Sequence, residues 1–279
     1  MIPRILSCLC ASALALASSL AWAQPVERIV SLAPNLTELA FAAGAGARVV
    51  GTVEYSDEPA AARKIARVGD AFRVDAERIL QLQPDLVLAW TSGTPQPTIA
   101  RLRSLGLDVR EFTTQRVADV PRVLRELGEL GGTQATAAQA ATRFESDMAR
   151  LRTQYSTRPS LSVFLQVNTH PLFTVNGEQI MSELVQMCGG RNVFADLTQL
   201  APQIAFEAVI ARDPDVIVAS DAEQDALSEW RRWPQLRAVR TGNLYMLPAN
   251  DLTRATTRLT SGAQQLCETL EKARARAIR

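Results

Sequence analysis

Apolar residues in this chain fall into two patterns. In 28–32, 48–53, 161–167 and 243–248 they cluster in short strand-like runs, 107–112 reads as a further strand, and 86–89 and 216–219 are uninterrupted and rich in Val, Ile and Leu, the pattern of strands covered on both faces of a parallel sheet. Between these runs they recur at three- and four-residue steps, which predicts helices over 34–43, 98–105, 117–130, 182–187 and 257–275. A strand-like pair, Thr174-Val175, follows the loop 168–173. Strands alternating with helices at these lengths specify an α/β fold with parallel sheets.

One stretch departs from that rhythm. Ala137, Ala141, Phe144, Met148, Leu151 and Tyr155 form a single stripe from 135 to 155 with no Pro or Gly inside it. That predicts one helix of about 22 residues, roughly 33 Å long, enough to run past two domains and join them stiffly. Wide hinge closure is therefore not expected. On either side of this helix the pattern repeats. Asp75 to Trp90 and Ala205 to Ser220 both read as a helix opened by an acid, a Pro-Asp break and a buried strand; Glu77, Pro84 and Asp85 match Glu207, Pro214 and Asp215 at identical spacing. Thr37-Glu38-Leu39 with Gly44 returns as Ser182-Glu183-Leu184 with Gly189. Two echoes in the same order imply two similar lobes. The expected divisions are an N-terminal α/β lobe over 24–132, a connecting helix over 133–158 and a C-terminal α/β lobe over 159–279, with a ligand cleft between the lobes.

The first 23 residues read as a cleaved signal peptide. Arg4 precedes an apolar run that ends in Ala21-Trp22-Ala23, the small-x-small pattern of a cleavage site, and the run is short for a membrane span. Cleavage after Ala23 would deliver a chain of about 255 residues to an exported, oxidising compartment. Its composition is that of a globular protein, 47% hydrophobic and 21% charged, with formal net charge +1; that balance argues against nucleic acid as a partner. Cys8 and Cys10 leave with the signal peptide. Cys188 and Cys267 then form an even pair, either a disulfide or two buried thiols; a bridge closing so long a loop would add on the order of 4 kcal/mol.

The chemistry the sequence lacks narrows its function. His170 is the one histidine, and no His, Cys and carboxylate cluster has ligand spacing, so no protein-built metal site is expected. There is no phosphate-binding loop, dinucleotide fingerprint or nucleophile elbow, and Gly44 and Gly46 read as a helix cap. Catalytic residues are not expected. What remains are aromatic residues beside strand ends, Tyr55, Trp90 and Phe173, where α/β sheets place ligands. Singly each reads as core; together, at equivalent places, they read as a pocket for a flat apolar ligand. His170 is either a hydrogen-bonded loop residue or an axial ligand to a metal carried by the ligand. Glu77 and Glu207 either complement their helix dipoles or present paired carboxylates to a partner's arginines.

The motifs Arg28-Ile29-Val30-Ser31-Leu32-Ala33-Pro34-Asn35-Leu36-Thr37-Glu38-Leu39, Tyr55-Ser56-Asp57, Glu77-Arg78-Ile79, Pro84-Asp85-Leu86-Val87, Val163-Phe164-Leu165-Gln166, Cys188-Gly189-Gly190 and Gln264-Gln265-Leu266-Cys267 occur in that order. In them the chain resembles the periplasmic cobalamin (vitamin B12)-binding proteins of ABC importers, within the class III, helical-backbone substrate-binding family. The resemblance implies two Rossmann-like lobes with a corrinoid between them as transported ligand, no cofactor, a permease and ATPase complex as partner, and a monomer when free. It implies that Tyr55, Trp90, Phe173 and Arg254 face the ligand, that Glu77 and Glu207 dock on permease arginines, and that Cys188 and Cys267 are bridged. The chain departs from the family in three places: Phe72 stands near a missing tryptophan, Ala201 replaces another, and Asn250, beside Asp251, replaces an acid at the ligand's edge. Haem, with Tyr55 or His170 on the iron, or a siderophore is the alternative ligand on the same fold; a periplasmic enzyme of unknown type is the alternative of another class.

Overall fold

The computed structural model describes residues 25–70, 72–220 and 225–277. The expected signal segment and its cleavage site lie outside these residues. Among the described residues no helix is long and apolar enough to cross a membrane.

The chain forms two separate parallel sheets. The first holds β1 (Ile29–Ser31), β2 (Val49–Thr52), β3 (Ala66–Arg67), β4 (Leu86–Trp90) and β5 (Val109–Phe112) in the order β3-β2-β1-β4-β5. The second holds β6 (Leu161–Gln166), β7 (Gly190–Asn192), β8 (Val216–Ala219) and β9 (Leu244–Met246) in the order β7-β6-β8-β9. Around the first lie α1 (Pro34–Ala42), α2 (Ala76–Gln81), α3 (Gln96–Ser104) and α4 (Asp119–Leu130); α5 (Gln134–Tyr155) follows, and α6 (Ile180–Met187), α7 (Phe206–Arg212), α8 (Arg237–Arg240), α9 (Ala249–Thr253) and α10 (Leu259–Ala277) accompany the second. The sequence pattern does not mark β3, β7, α8 or α9, which are too short to show a period. Thr174 and Val175, read as strand-like, form no strand. They are buried in a loop whose backbone hydrogen bonds run to the segment 200–203 instead of to the sheet, Phe173 bridging Asn168 and Gln203 and the Thr174 N–H donating to the Pro202 carbonyl.

The structure gives the repeated Pro-Asp a physical role. Gln83 and Asp213, one residue before each proline, end their helices at φ 44 and 38, a left-handed stop before a residue that cannot continue a helix. The aspartate that follows clamps the neighbouring strand. Asp85 Oδ2 accepts the N–H groups of Glu27 (2.8 Å) and Arg28 (2.9 Å) at the entry to β1. Asp215 Oδ2 accepts the N–H (2.8 Å) and hydroxyl (2.7 Å) of Ser162 in β6. Each carboxylate thus fixes where its strand starts, and with it the registers Ile29↔Leu86 and Val163↔Val216; a slip of one residue would turn every side chain to the wrong face.

Helix α5 buries Ala137, Ala141, Phe144, Met148, Leu151 and Tyr155 against α1, α4, α6 and α10. That side of both sheets shares one core, which contains Ile29 and Leu88 from the first and Val163 and Val218 from the second. The opposite faces have cores of their own, around Val30, Ile79 and Val87 in one half and around Phe164, Ile217 and Trp230 in the other. Cys188 and Cys267 form a disulfide inside the shared core, tying α6 to α10.

Candidate functional site

In a parallel sheet the residues just beyond the carboxyl ends of the strands are free of the ladder, and the helix that follows each strand starts there. Tyr55 follows β2, Phe72 follows β3 and Trp90 ends β4, all on that edge of the first sheet. Phe173 lies beyond β6, and Asn250, Asp251 and Arg254 lie beyond β9, on the same edge of the second. The two edges meet, since Arg254 Nη1 donates to Asp57 Oδ1 at 3.2 Å, and Asp57 is two residues from Tyr55.

Tyr55 has φ 63 and is 76% exposed. A left-handed tyrosine costs about 1–2 kcal/mol, and no burial offsets that here; such residues collect at ligand sites. Beside it Ser56 is fully buried, and its hydroxyl joins those of Thr52 (2.8 Å), Thr37 and Ser31 in one chain that fixes the floor beneath the edge. The Trp90 ring lies against Gly93, where a Cβ would come within 2.2 Å of it; its Nε1 is buried without an acceptor among the described residues. Phe72, 77% exposed, sits on a turn held by the Asp70 carboxylate, which accepts the N–H groups of Phe72 and Arg73. It lines a cavity of about 230 Å³ with Ala76 at the start of α2 and Thr98, Arg101 and Leu102 of α3. Phe173 is half-buried, and His170 and Asn250 are exposed. The described residues contain no group of three His, Cys, Asp or Glu side chains able to hold a metal ion.

In the densest charge at the site the sequence singled out Arg254 and Asp251 but not their partners Glu38, Asp57 and Arg258. Glu38, 6% exposed at its side chain, lies in α1 and holds two arginines of the other half: Oε1 pairs with Arg254 Nη1 at 3.0 Å and Oε2 with Arg258 Nε at 3.2 Å. Asp57 shares Arg254 at 3.2 Å, and Asp251 lies 3.7 Å from Arg258. Burial pushes the Asp57 carboxyl up, but the hydrogen bond from Arg254 and the charges of both arginines outweigh it and hold the group below its ordinary value. Arg254 is therefore a tie across the two halves as well as a residue of the edge. A second tie runs the other way. Glu183, the counterpart of Glu38 in the sequence echo, accepts the N–H of Val117 at 2.9 Å and lies 3.8 Å from Arg116, both in the first half. The echo was the available signal for this pair, but it does not say where the glutamates reach.

Glu77 and Glu207 occupy the first turns of α2 and α7, exposed and without an ion pair among the described residues. Asp75 already caps α2 by accepting the N–H of Arg78, so the dipole role of Glu77 is partly filled. A larger cavity, about 940 Å³, lies elsewhere, among the end of α1, α5 and the start of α10; none of the candidate ligand or docking residues lines it, and the strand-edge chemistry locates the candidate site better than volume does.

The chain belongs to the periplasmic binding protein family, whose sequence profile matches residues 29–250. It is 37% identical over 247 residues to a vitamin B12-binding protein of Yersinia pestis, a match covering 88% of this chain and 87% of that one. Its structure is similar to the crystal structure of the periplasmic vitamin B12 binding protein of Vibrio cholerae, with TM-score 0.84 and 35% identity over 90% of this chain and 98% of that one. A periplasmic heme-binding protein from Roseiflexus sp. RS-1 shares the fold, with TM-score 0.78 and 24% identity over 88% of this chain and 98% of that one.

Proposed function

We propose that this member of a family of binding proteins takes up cobalamin or a related corrinoid between its two halves and delivers it, chemically unaltered, to the permease of an ABC importer. The observation that carries the reading is the junction of the two strand edges. Aromatic side chains stand at the carboxyl ends of strands in both sheets, beyond or at the end of β2, β3 and β4 in one and beyond β6 in the other, and Arg254 joins those edges. A flat ligand held there gains aromatic contact on its faces and hydrogen bonds at its rim. Relatives of similar length named as vitamin B12-binding proteins favour a corrinoid.

In this reading Tyr55, Phe72, Trp90, His170, Phe173, Asn250, Asp251 and Arg254 surround the ligand. The chain is exported to the periplasm, loses residues 1–23, and acts as a monomer with lobes over 24–132 and 159–279 and a stiff connection over 133–158. Glu77 and Glu207, exposed and without an ion pair among the described residues at matched helix starts, engage arginines of the permease. Titration of the purified protein with cyanocobalamin should give sub-micromolar, one-to-one binding; absence of any heat or spectral change would reject the ligand. Glu77→Ala with Glu207→Ala should keep that affinity and weaken transporter-stimulated ATP hydrolysis, and undiminished stimulation would return both residues to a helix-dipole role.

A further inference from the structure

The charge cluster at the junction bears on which ligands the site accepts. Three carboxylates, Glu38, Asp57 and Asp251, face two guanidiniums, Arg254 and Arg258. The cluster is thus left with one net negative charge. Both bonds made by Arg254 to the acids run through Nη1, so its other N–H groups remain for a further acceptor. An uncharged amide carbonyl can use those donors without disturbing the ion pairs. A carboxylate is treated differently. To gain a full charge it would have to displace Asp57, exchanging one ion pair for another, and it would then meet the repulsion of the remaining acids.

We propose that Glu38, Asp57 and Asp251 are specificity determinants: by neutralising Arg254 and Arg258 in advance, they make the site favour a flat ligand rimmed with uncharged amides over one of the same shape rimmed with carboxylates. This rests on the binding reading above and adds the chemical class of the rim. It separates amide-bearing corrinoids from carboxylate-bearing macrocycles on electrostatics, where the shape of the fold does not.

The test compares cyanocobalamin with its monocarboxylic acids, in each of which one peripheral amide has been hydrolysed, by calorimetric titration at pH 7.5. The wild type should bind at least one of these acids about tenfold or more weaker than cyanocobalamin, the size of one like-charge contact in a partly solvated site. Asp57→Asn, which alters a half-exposed side chain, should narrow that ratio by about tenfold, and Asp251→Asn should narrow it in the same direction. Cyanocobalamin and all the acids bound alike by the wild type, or a ratio unchanged in both variants, overturns the inference while leaving the ligand reading intact. No binding of cyanocobalamin by the wild type overturns both.

Discussion

Glu38→Gln tests the tie between the halves most directly. The substitution keeps the shape of the side chain and removes its charge, leaving Arg254 and Arg258 with only Asp57 and the more distant Asp251. Removing one partner of a buried ion pair costs about 3–5 kcal/mol. Here the arginine side chains are 18% and 30% exposed and glutamine still offers one acceptor, which reduces the expected loss to about 2–3 kcal/mol. In a protein of this size each kcal/mol moves the thermal midpoint by about 2–4 °C, so Glu38→Gln should lower Tm by about 4–12 °C. Glu183→Gln is the control. Its arginine partners stand 3.8 and 3.9 Å away and are 68% and 60% exposed, so those pairs are worth about 0–1 kcal/mol, and the amide oxygen can still accept from Val117. Its Tm should fall by no more than about 2–4 °C. Equal shifts for the two variants, or none for Glu38→Gln, would refute the claim that the buried carboxylate pins the halves.

Three further outcomes are expected. Replacing Cys188 and Cys267 by Ser opens a loop spanning 79 residues and should cost about 4 kcal/mol, read as a lower urea midpoint that matches reduced wild type. Asp215→Asn should cost about 1.5–3 kcal/mol, because the carboxylate accepts two bonds from Ser162 and pairs with Arg237, the range of hydrogen bonds to a charged group. The same residue sets a pH dependence. Burial raises the Asp215 carboxyl, but Arg237 and Ser162 lower it further, so its folded value lies below the ordinary one. Its contribution is then fully present above the ordinary carboxylate range and disappears as pH falls through the depressed folded value; urea midpoints between pH 5 and about 2 should fall less steeply in Asp215→Asn than in wild type, and identical slopes would contradict the assignment.

The amino-acid order carried the local architecture because local architecture has a local cause. Val216–Ala219 is an unbroken apolar run and becomes a strand buried along its whole length; the stripe from Ala137 to Tyr155 becomes the buried face of one 22-residue helix. The Pro-Asp repeat marks two helix stops, since proline limits the residues around it wherever the chain goes. Elements of two to five residues, such as β3 and α9, left no period to read. Tyr55 stood out as an aromatic at a strand end, but its left-handed backbone and its exposure became visible only in the structure.

The charge at the site belongs to the tertiary structure. Arg254 and Glu38 are 216 residues apart, and nothing near either position says that they pair, since a long-range ion pair depends on how two sheets are set against each other rather than on any local period. Two similar halves and aromatic strand ends were legible from spacing alone; only the packing of those halves through α5 and α10 decided that Glu38 reaches Arg254 and Arg258 while its echo, Glu183, reaches back to Val117.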